Sequence, residues 1–282
     1  MLLCSVLLDE LVARALAEDT LGGDLTTEAI VSSDARAVAR AVAHAPLIVC
    51  GGDVFARVFY AVDRGLRVEQ LRAEGTHAEP GEALLVVEGG ARSILLGERT
   101  ALNFLQRMSG VATLTRRYVD AVPPERALRV CDTRKTTPGL RALERYAVRV
   151  GGGKNHRDNL GAAVLIKDNH IVAAGGVTAA VEQARRSAPH TSRIEVEVDS
   201  LDALDEALAA RADIVLLDNF TDAALAQAVE RTSGRALLEA SGGITLDRIG
   251  RLAEIGIDVV SVGALTHSAP AADIGLDLER LD

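Results

Sequence analysis

The chain has 282 residues, a formal net charge of -9 and 48% hydrophobic residues, with only 2% aromatics and no Trp. That length holds one large domain or two with a sizeable core, and the acidic balance argues against nucleic acid as a partner. No stretch reaches the ~18 uncharged apolar residues that a spanning helix needs, so no membrane segment is expected.

A core without aromatics must be built from Ala, Val, Leu and Ile, which suits parallel strands covered by helices. Cys4, Cys50 and Cys131 are odd in number and lack metal-ligand spacing. They favour a reducing interior, and a cytoplasmic protein is expected. The apolar start, Met1 to Leu8, runs straight into Asp9-Glu10 without a positive leader, which is not the pattern of a signal peptide.

Residues 5–18 carry apolar positions at helical spacing and end before the turn Gly22-Gly23-Asp24. From Thr26-Thr27 onward, alternating runs predict strands near 36–43, 46–50, 66–73 and 83–88. A helical period returns from Arg92 to Met108, is interrupted at Ser109-Gly110, and resumes as a second helix from Val111 to Val122. Residues 1–108 are therefore expected to form an N-terminal α+β sandwich domain for packing and assembly, joined by the tail 268–282.

Beyond Pro123-Pro124 the pattern becomes regular. Short apolar runs at 128–131, 163–166, 194–198, 214–217, 236–238 and 257–262 alternate with helical segments, which predicts βα units and a parallel sheet. Six such strands in 109–267 give an incomplete, TIM-like α/β barrel as the catalytic domain. Several runs end in polar or glycine residues, and strand carboxyl ends converge on one mouth in a barrel.

Ile194-Glu195-Val196-Glu197-Val198 alternates apolar with acidic residues, so Glu195 and Glu197 share a face. In a barrel strand that face is the interior, where two carboxylates need cations or a metal. On an edge strand it would be solvated.

The positive charges are unevenly placed. All three lysines, Lys135, Lys154 and Lys167, fall between Asp132 and His170, and Arg134 to Arg157 holds seven basic residues against the single acid Glu144. A basic segment in an acidic chain points to a small polyanionic ligand. Gly151-Gly152-Gly153-Lys154-Asn155-His156-Arg157 reads as an anion loop or as a plain turn, and it lacks the Walker ending. Ser241-Gly242-Gly243 and Val262-Gly263-Ala264, with His267 following, read as a monophosphate cup or as tight connections that need Gly. Asp218 could join Glu197 across the mouth to hold Mg2+ bridged to phosphate. His156 is left open between a core histidine, a substrate donor and a base. Arg99 alone reads as a surface arginine, and the cysteines as ordinary buried positions.

Taken together, Glu98-Arg99-Thr100, Asp132-Thr133-Arg134-Lys135-Thr136, Gly151 to Arg157, Leu165 to His170, Glu195-Val196-Glu197, Leu217-Asp218-Asn219 and Ser241-Gly242-Gly243 resemble the quinolinate phosphoribosyltransferase family. The resemblance covers nearly the whole chain. It implies transfer of the phosphoribosyl group of PRPP to quinolinate with decarboxylation, Mg2+ as cofactor, and a homodimer or larger homo-oligomer with shared active sites. By the same resemblance Arg134, His156, Arg157 and Lys167 hold quinolinate, with Arg99 supplied by the partner subunit, and Thr133 is a further substrate-binding residue. Lys135 contacts pyrophosphate, Glu197 and Asp218 serve metal and ribose, and the turns at 241–243 and 262–264 take the 5′-phosphate. Asp158 to Ala163 departs from the family pattern, which usually has Gly before the Leu and Asp before the next strand. Three other readings of these residues are a paralogue associated with molybdate transport, a Schiff-base lyase using Lys167, and a phosphate-binding module without turnover.

Overall fold

A computed structural model of the chain describes residues 5–281; Cys4 and the other first residues, with Asp282 of the tail, lie outside the described residues. In chain order its elements begin α1 (Ser5–Thr20), α2 (Leu25–Ile30), β1 (Arg36–Ala43), β2 (Leu47–Ile48), α3 (Gly52–Val62), β3 (Arg67–Gln70), β4 (His77–Ala78), β5 (Ala83–Gly90) and α4 (Ala91–Asp120). Then follow β6 (Arg129–Cys131), α5 (Arg141–Val150), β7 (Val164–Ile166), α6 (Asp168–Ala174), α7 (Val177–Ser187), β8 (Ile194–Val198), α8 (Leu201–Ala209) and β9 (Ile214–Asp218). The last are α9 (Asp222–Thr232), β10 (Leu237–Ser241), α10 (Ile249–Ile255), β11 (Val259–Ser261), α11 (Ala264–His267) and β12 (Ile274–Leu281).

These elements fall into two units. The first comprises the described residues up to Arg116, together with Thr137–Gly152 and the stretch from Ser268 on. Its main sheet is antiparallel in the order β12-β1-β5-β3. Alternation in Arg-Ala-Val-Ala-Arg-Ala-Val-Ala buries Ala37, Ala39, Ala41 and Ala43 completely, and the tail strand β12 pairs along the whole of β1. Helix α3, which falls between the predicted strands, buries Val54, Phe55, Val58 and Phe59 on one stripe.

The interruption expected at Ser109-Gly110 does not occur, because α4 is one helix of 30 residues. Ser109 is satisfied without breaking it, its hydroxyl accepting from Cys50 N–H and donating to Cys50 C=O at 3.0 Å each. Gly110 is needed for close approach: a Cβ there would overlap the Pro270 carbonyl. Gly110→Ala is therefore expected to lose ~1–3 kcal/mol in urea unfolding, although helix propensity alone would gain ~1 kcal/mol. A stabilised variant would show that contact to be slack.

The first unit also takes in 109–116, which continue α4, and 137–152, with α5. A buried ion pair explains the second segment. Glu144, 1% exposed, accepts from Arg107 Nη2 at 2.6 Å and Nε at 3.1 Å, and from Thr137 Oγ1 at 2.7 Å and Thr137 N at 3.0 Å.

The second unit, Arg117–Thr136 and Gly153–His267, carries a six-stranded sheet in the order β6-β11-β10-β9-β8-β7. Every pairing in it is parallel, and the helices between strands supply the crossovers. The terminal strands β6 and β7 do not pair with each other, so the barrel is incomplete as expected. Because β8 lies between β7 and β9, it is not an edge strand, and Ile194, Val196 and Val198 are all buried.

Candidate active site

The carboxyl ends of the parallel strands surround a cavity of about 560 Å3 within the second unit. Six basic or imidazole side chains line it: Arg134 and Lys135 after β6, His156 and Arg157 before β7, Lys167 at the end of β7 and His170 in α6. The same lining includes Glu197 from β8, Asp218 from β9, and Glu239 with Ser241 from β10, together with Thr133. Parallel register explains the last grouping, since Ser241 pairs with Asp218 and Glu239 with Leu216.

Local contacts fix these groups. Asp132, fully buried after β6, accepts from His156 N at 2.8 Å and Asn155 Nδ2 at 2.6 Å, so it shapes the 155–156 backbone. Lys135 N–H donates to Thr133 Oγ1 at 3.0 Å, and the Thr266 hydroxyl donates to Lys135 C=O at 2.7 Å. Lys167 makes an ion pair with Glu197. Asn219 Nδ2 donates to Asp218 Oδ2 at 2.8 Å.

The deepest group is an imidazole between two acids. His156 Nε2 lies 3.3 Å from Glu195 and 3.4 Å from Glu239, whose side chains are 6% and 5% exposed. Burial pulls the His156 pKa down, but the hydrogen bonds and charges of the two carboxylates outweigh it and raise it to about 10. Burial also raises Glu195, with Glu239 adding to that rise and His156 opposing it. At the other nitrogen, Arg157 N–H donates to His156 Nδ1 at 2.7 Å. That bond opposes a second proton on the ring, whereas the carboxylates favour it. In either charge state Nε2 keeps its proton. The three residues are compact enough for a metal ion, their donor atoms lying within 4.8 Å of one another, but the Nε2 proton takes the place of one.

Burial lowers the Arg157 pKa, the nearby charge of Arg134 lowers it further, and Glu195 opposes both. Two guanidiniums are thus held within each other's field at the cavity wall. Cys131 is pushed up to about 12 by burial, then by Glu239 and Asp132, so its thiol is inert.

The two glycine turns differ in reason. Gly242 has φ +84° and a Cβ there would overlap the Asn219 side chain, so close approach and backbone both demand Gly. Gly243 has φ +58° with open space beside it, which leaves its backbone accessible. Gly263 sits where a Cβ would be 3.1 Å from His267 Nε2 and 3.2 Å from Lys135 Cδ, so the second turn flanks the Lys135 stem. Val262 N–H donates to Cys131 C=O at 2.9 Å, and Ala264 opens α11. Arg99 is exposed on α4 of the first unit and does not line this cavity.

Three contributors were missing from the sequence reading. Glu239 carries the same signal as Glu195, a lone acid inside an apolar strand, and β10 runs past the expected 236–238 to Ser241, which brings it in. Asp132 stands at a strand end and in the motif Asp132 to Thr136 without a role of its own there, and Thr266 lies in the second glycine turn, where only the fold shows its hydroxyl reaching the Lys135 carbonyl.

Two family models match the chain: the quinolinate phosphoribosyl transferase N-terminal domain over residues 24–109 and its C-terminal domain over 111–277. The chain is 46% identical to the nicotinate-nucleotide pyrophosphorylase (carboxylating) of Mycobacterium leprae, covering 95% of each chain. It is 41% identical to the Homo sapiens protein of that name, covering 99% of this chain and 94% of the other. Among solved structures, NadC from Streptococcus pyogenes superposes with a TM-score of 0.95 at 42% identity, with 100% of both chains covered.

Proposed function

The chain belongs to the quinolinate phosphoribosyltransferase family, and on that premise we propose that the cavity of the second unit is its active site. The enzyme transfers the phosphoribosyl group of PRPP to the ring nitrogen of quinolinate, giving nicotinate mononucleotide, pyrophosphate and CO2 for NAD biosynthesis. Family membership replaces the Schiff-base lyase and the binding module as readings of these residues, and likeness over nearly the full length to nicotinate-nucleotide pyrophosphorylases, with Arg99 and Lys167-Asp168-Asn169-His170 present, argues against the transport-associated paralogue.

One observation carries the assignment of the site: a single cavity sets Arg134, Lys135, His156, Arg157 and Lys167 against Glu197 and Asp218. A dicarboxylate needs the first wall, and a sugar that develops positive charge needs the second. Arg134 and Arg157 suit the quinolinate carboxylates because a planar guanidinium pairs with a carboxylate through two parallel bonds. Thr133 and Lys167 complete that wall, and His156 contributes to it from between Arg157 and the two buried acids. Lys135 faces pyrophosphate. The Ser241-Gly242-Gly243 turn and Gly263-Ala264 offer backbone N–H groups to the 5′-phosphate, flanked by Val262, whose own N–H is held by the Cys131 carbonyl, and by the His267 side chain.

Departure of pyrophosphate leaves positive charge on the ribose C1, which Glu197 and Asp218 stabilise. Ribosylation then makes the ring nitrogen cationic, so when the adjacent C–CO2 bond breaks and CO2 leaves, the electron pair is held in the ring as an ylide, which takes up a proton from solvent to give the nucleotide. The protein needs no general base for that step. It must position quinolinate and exclude water. Glu197 and Asp218 offer hard carboxylate oxygens at one mouth, a donor set that fits Mg2+. Bound there, Mg2+ would supply charge neutralisation for the pyrophosphate leaving group.

Incubating the protein with quinolinate, PRPP and Mg2+ should yield nicotinate mononucleotide by chromatography; no product from folded protein would count against the reading. Arg99, exposed on α4, completes the quinolinate site of a partner subunit in a homodimer or larger assembly. Mixing inactive Arg99→Ala and Lys167→Ala proteins should therefore restore roughly a quarter of wild-type activity, the statistical yield for a two-fold dimer. No recovery after verified subunit exchange would refute the shared site. No helix among the described residues is long and apolar enough to cross a membrane. Cys50 and Cys131 are buried free thiols, which supports a reducing, cytoplasmic setting.

A further inference from the structure

We propose that Glu239, together with Glu195, is a positioning residue for quinolinate, acting through the His156 ring to fix Arg157. The inference rests on the active-site reading above. It assigns His156 the part of a pin in the cationic wall, holding the residue that meets the substrate.

The geometry runs in one line. Glu195 on β8 and Glu239 on β10 come from strands on either side of β9, so their backbones are set by the parallel ladder. Both carboxylates converge on Nε2 of one ring, at 3.3 and 3.4 Å. The opposite nitrogen of that ring accepts from Arg157 N–H at 2.7 Å. The backbone of His156 is itself tied by its N–H to the buried carboxylate of Asp132 at 2.8 Å. Arg157 Nη1 reaches the Ala163 carbonyl at 3.3 Å. The loop that carries Arg157 is therefore clamped from the sheet through a buried imidazole.

Such a clamp answers a physical need. Arg157 lies in the field of Arg134, and like charges push a flexible guanidinium outward. Holding its main chain from below keeps the fork aimed at the cavity. Glu239 is placed for this: its buried Oε1 makes no hydrogen bond among the described residues and stands 3.4 Å from His156 Nε2 as an ion pair. Carboxylates on two strands also define the ring plane, which one acid would leave free to rotate.

The test measures quinolinate and PRPP separately in Glu239→Gln, His156→Gln and the double variant, with calorimetry for quinolinate binding and steady-state kinetics for both substrates. Glu239→Gln is expected to raise KM and Kd for quinolinate about tenfold, the scale of one bond to a charged group. KM for PRPP and kcat should stay within about threefold, as expected when a ground-state contact to one substrate is lost. The double variant should be no worse than His156→Gln alone, because both changes break the same line. Unchanged quinolinate affinity in folded Glu239→Gln, or additive effects, would overturn the proposal. So would one equivalent of zinc retained by the purified enzyme and removed by chelator together with quinolinate affinity, since the trio would then be a metal site. Should Glu239→Gln fail to fold, Glu239→Asp, which keeps the charge but withdraws it from Nε2, is read in the same way. A wild type that binds quinolinate but makes no nucleotide would strike the proposed reaction while calorimetry still reports on the clamp.

Discussion

Arg134→Ala is expected to lower kcat/KM for quinolinate by between about 30-fold and a few thousand-fold, corresponding to ~2–5 kcal/mol for a desolvated charge that loses its partner. Arg134 and Arg157 line one wall, and the charge of Arg134 contributes to the lowered pKa of Arg157. Two guanidiniums so close oppose each other until a dianion is received between them. Removing one should therefore cost activity far more than thermal stability, since the repulsion it relieves offsets contacts it loses. Arg134→Lys should recover only part of the loss, because an ammonium cannot form the paired bonds of a planar fork. Steady-state kinetics in each substrate, with thermal melts of each variant, checks this. A quinolinate kcat/KM within about threefold of wild type would remove Arg134 from the substrate wall.

Glu144→Ala should produce the largest loss of stability, ~3–5 kcal/mol, because it leaves a partly buried guanidinium without its carboxylate. The Glu144 side chain is 1% exposed and that of Arg107 24%, so water cannot fully replace the lost acceptor. Thr137 loses two bonds in the same change, one from its N–H and one from its hydroxyl. Glu144→Gln keeps an acceptor for part of this set and should lose less. Urea unfolding followed by circular dichroism reads the difference, and an alanine variant within ~1 kcal/mol of wild type would show the pair to be dispensable.

The difference between these two sites explains what could be read beforehand. Arg134, Lys135 and Lys167 were marked by charge alone, since a cluster of cations in an acidic chain stands out without any fold. Glu195 and Glu197 were marked by alternation, because a strand that buries Ile194, Val196 and Val198 has no other place for them. Gly110, by contrast, carried the wrong message. A glycine after a serine inside a helical period reads as a break, and only the Pro270 carbonyl lying against it shows that it is there for contact.

Sequence by itself determined the α/β alternation, the six barrel strands, the family and the polarity of the mouth, since all of these are written in local period, local charge or contiguous motifs. Tertiary structure alone decided that α4 runs unbroken, that α5 belongs with the first unit through Arg107 and Glu144, and that His156 stands between Glu195 and Glu239. The physical reason is separation along the chain: His156 meets Glu195 across 39 positions, and Arg107 meets Glu144 across 37. Pairings at that range follow from how strands and helices dock, and no window of sequence contains both partners.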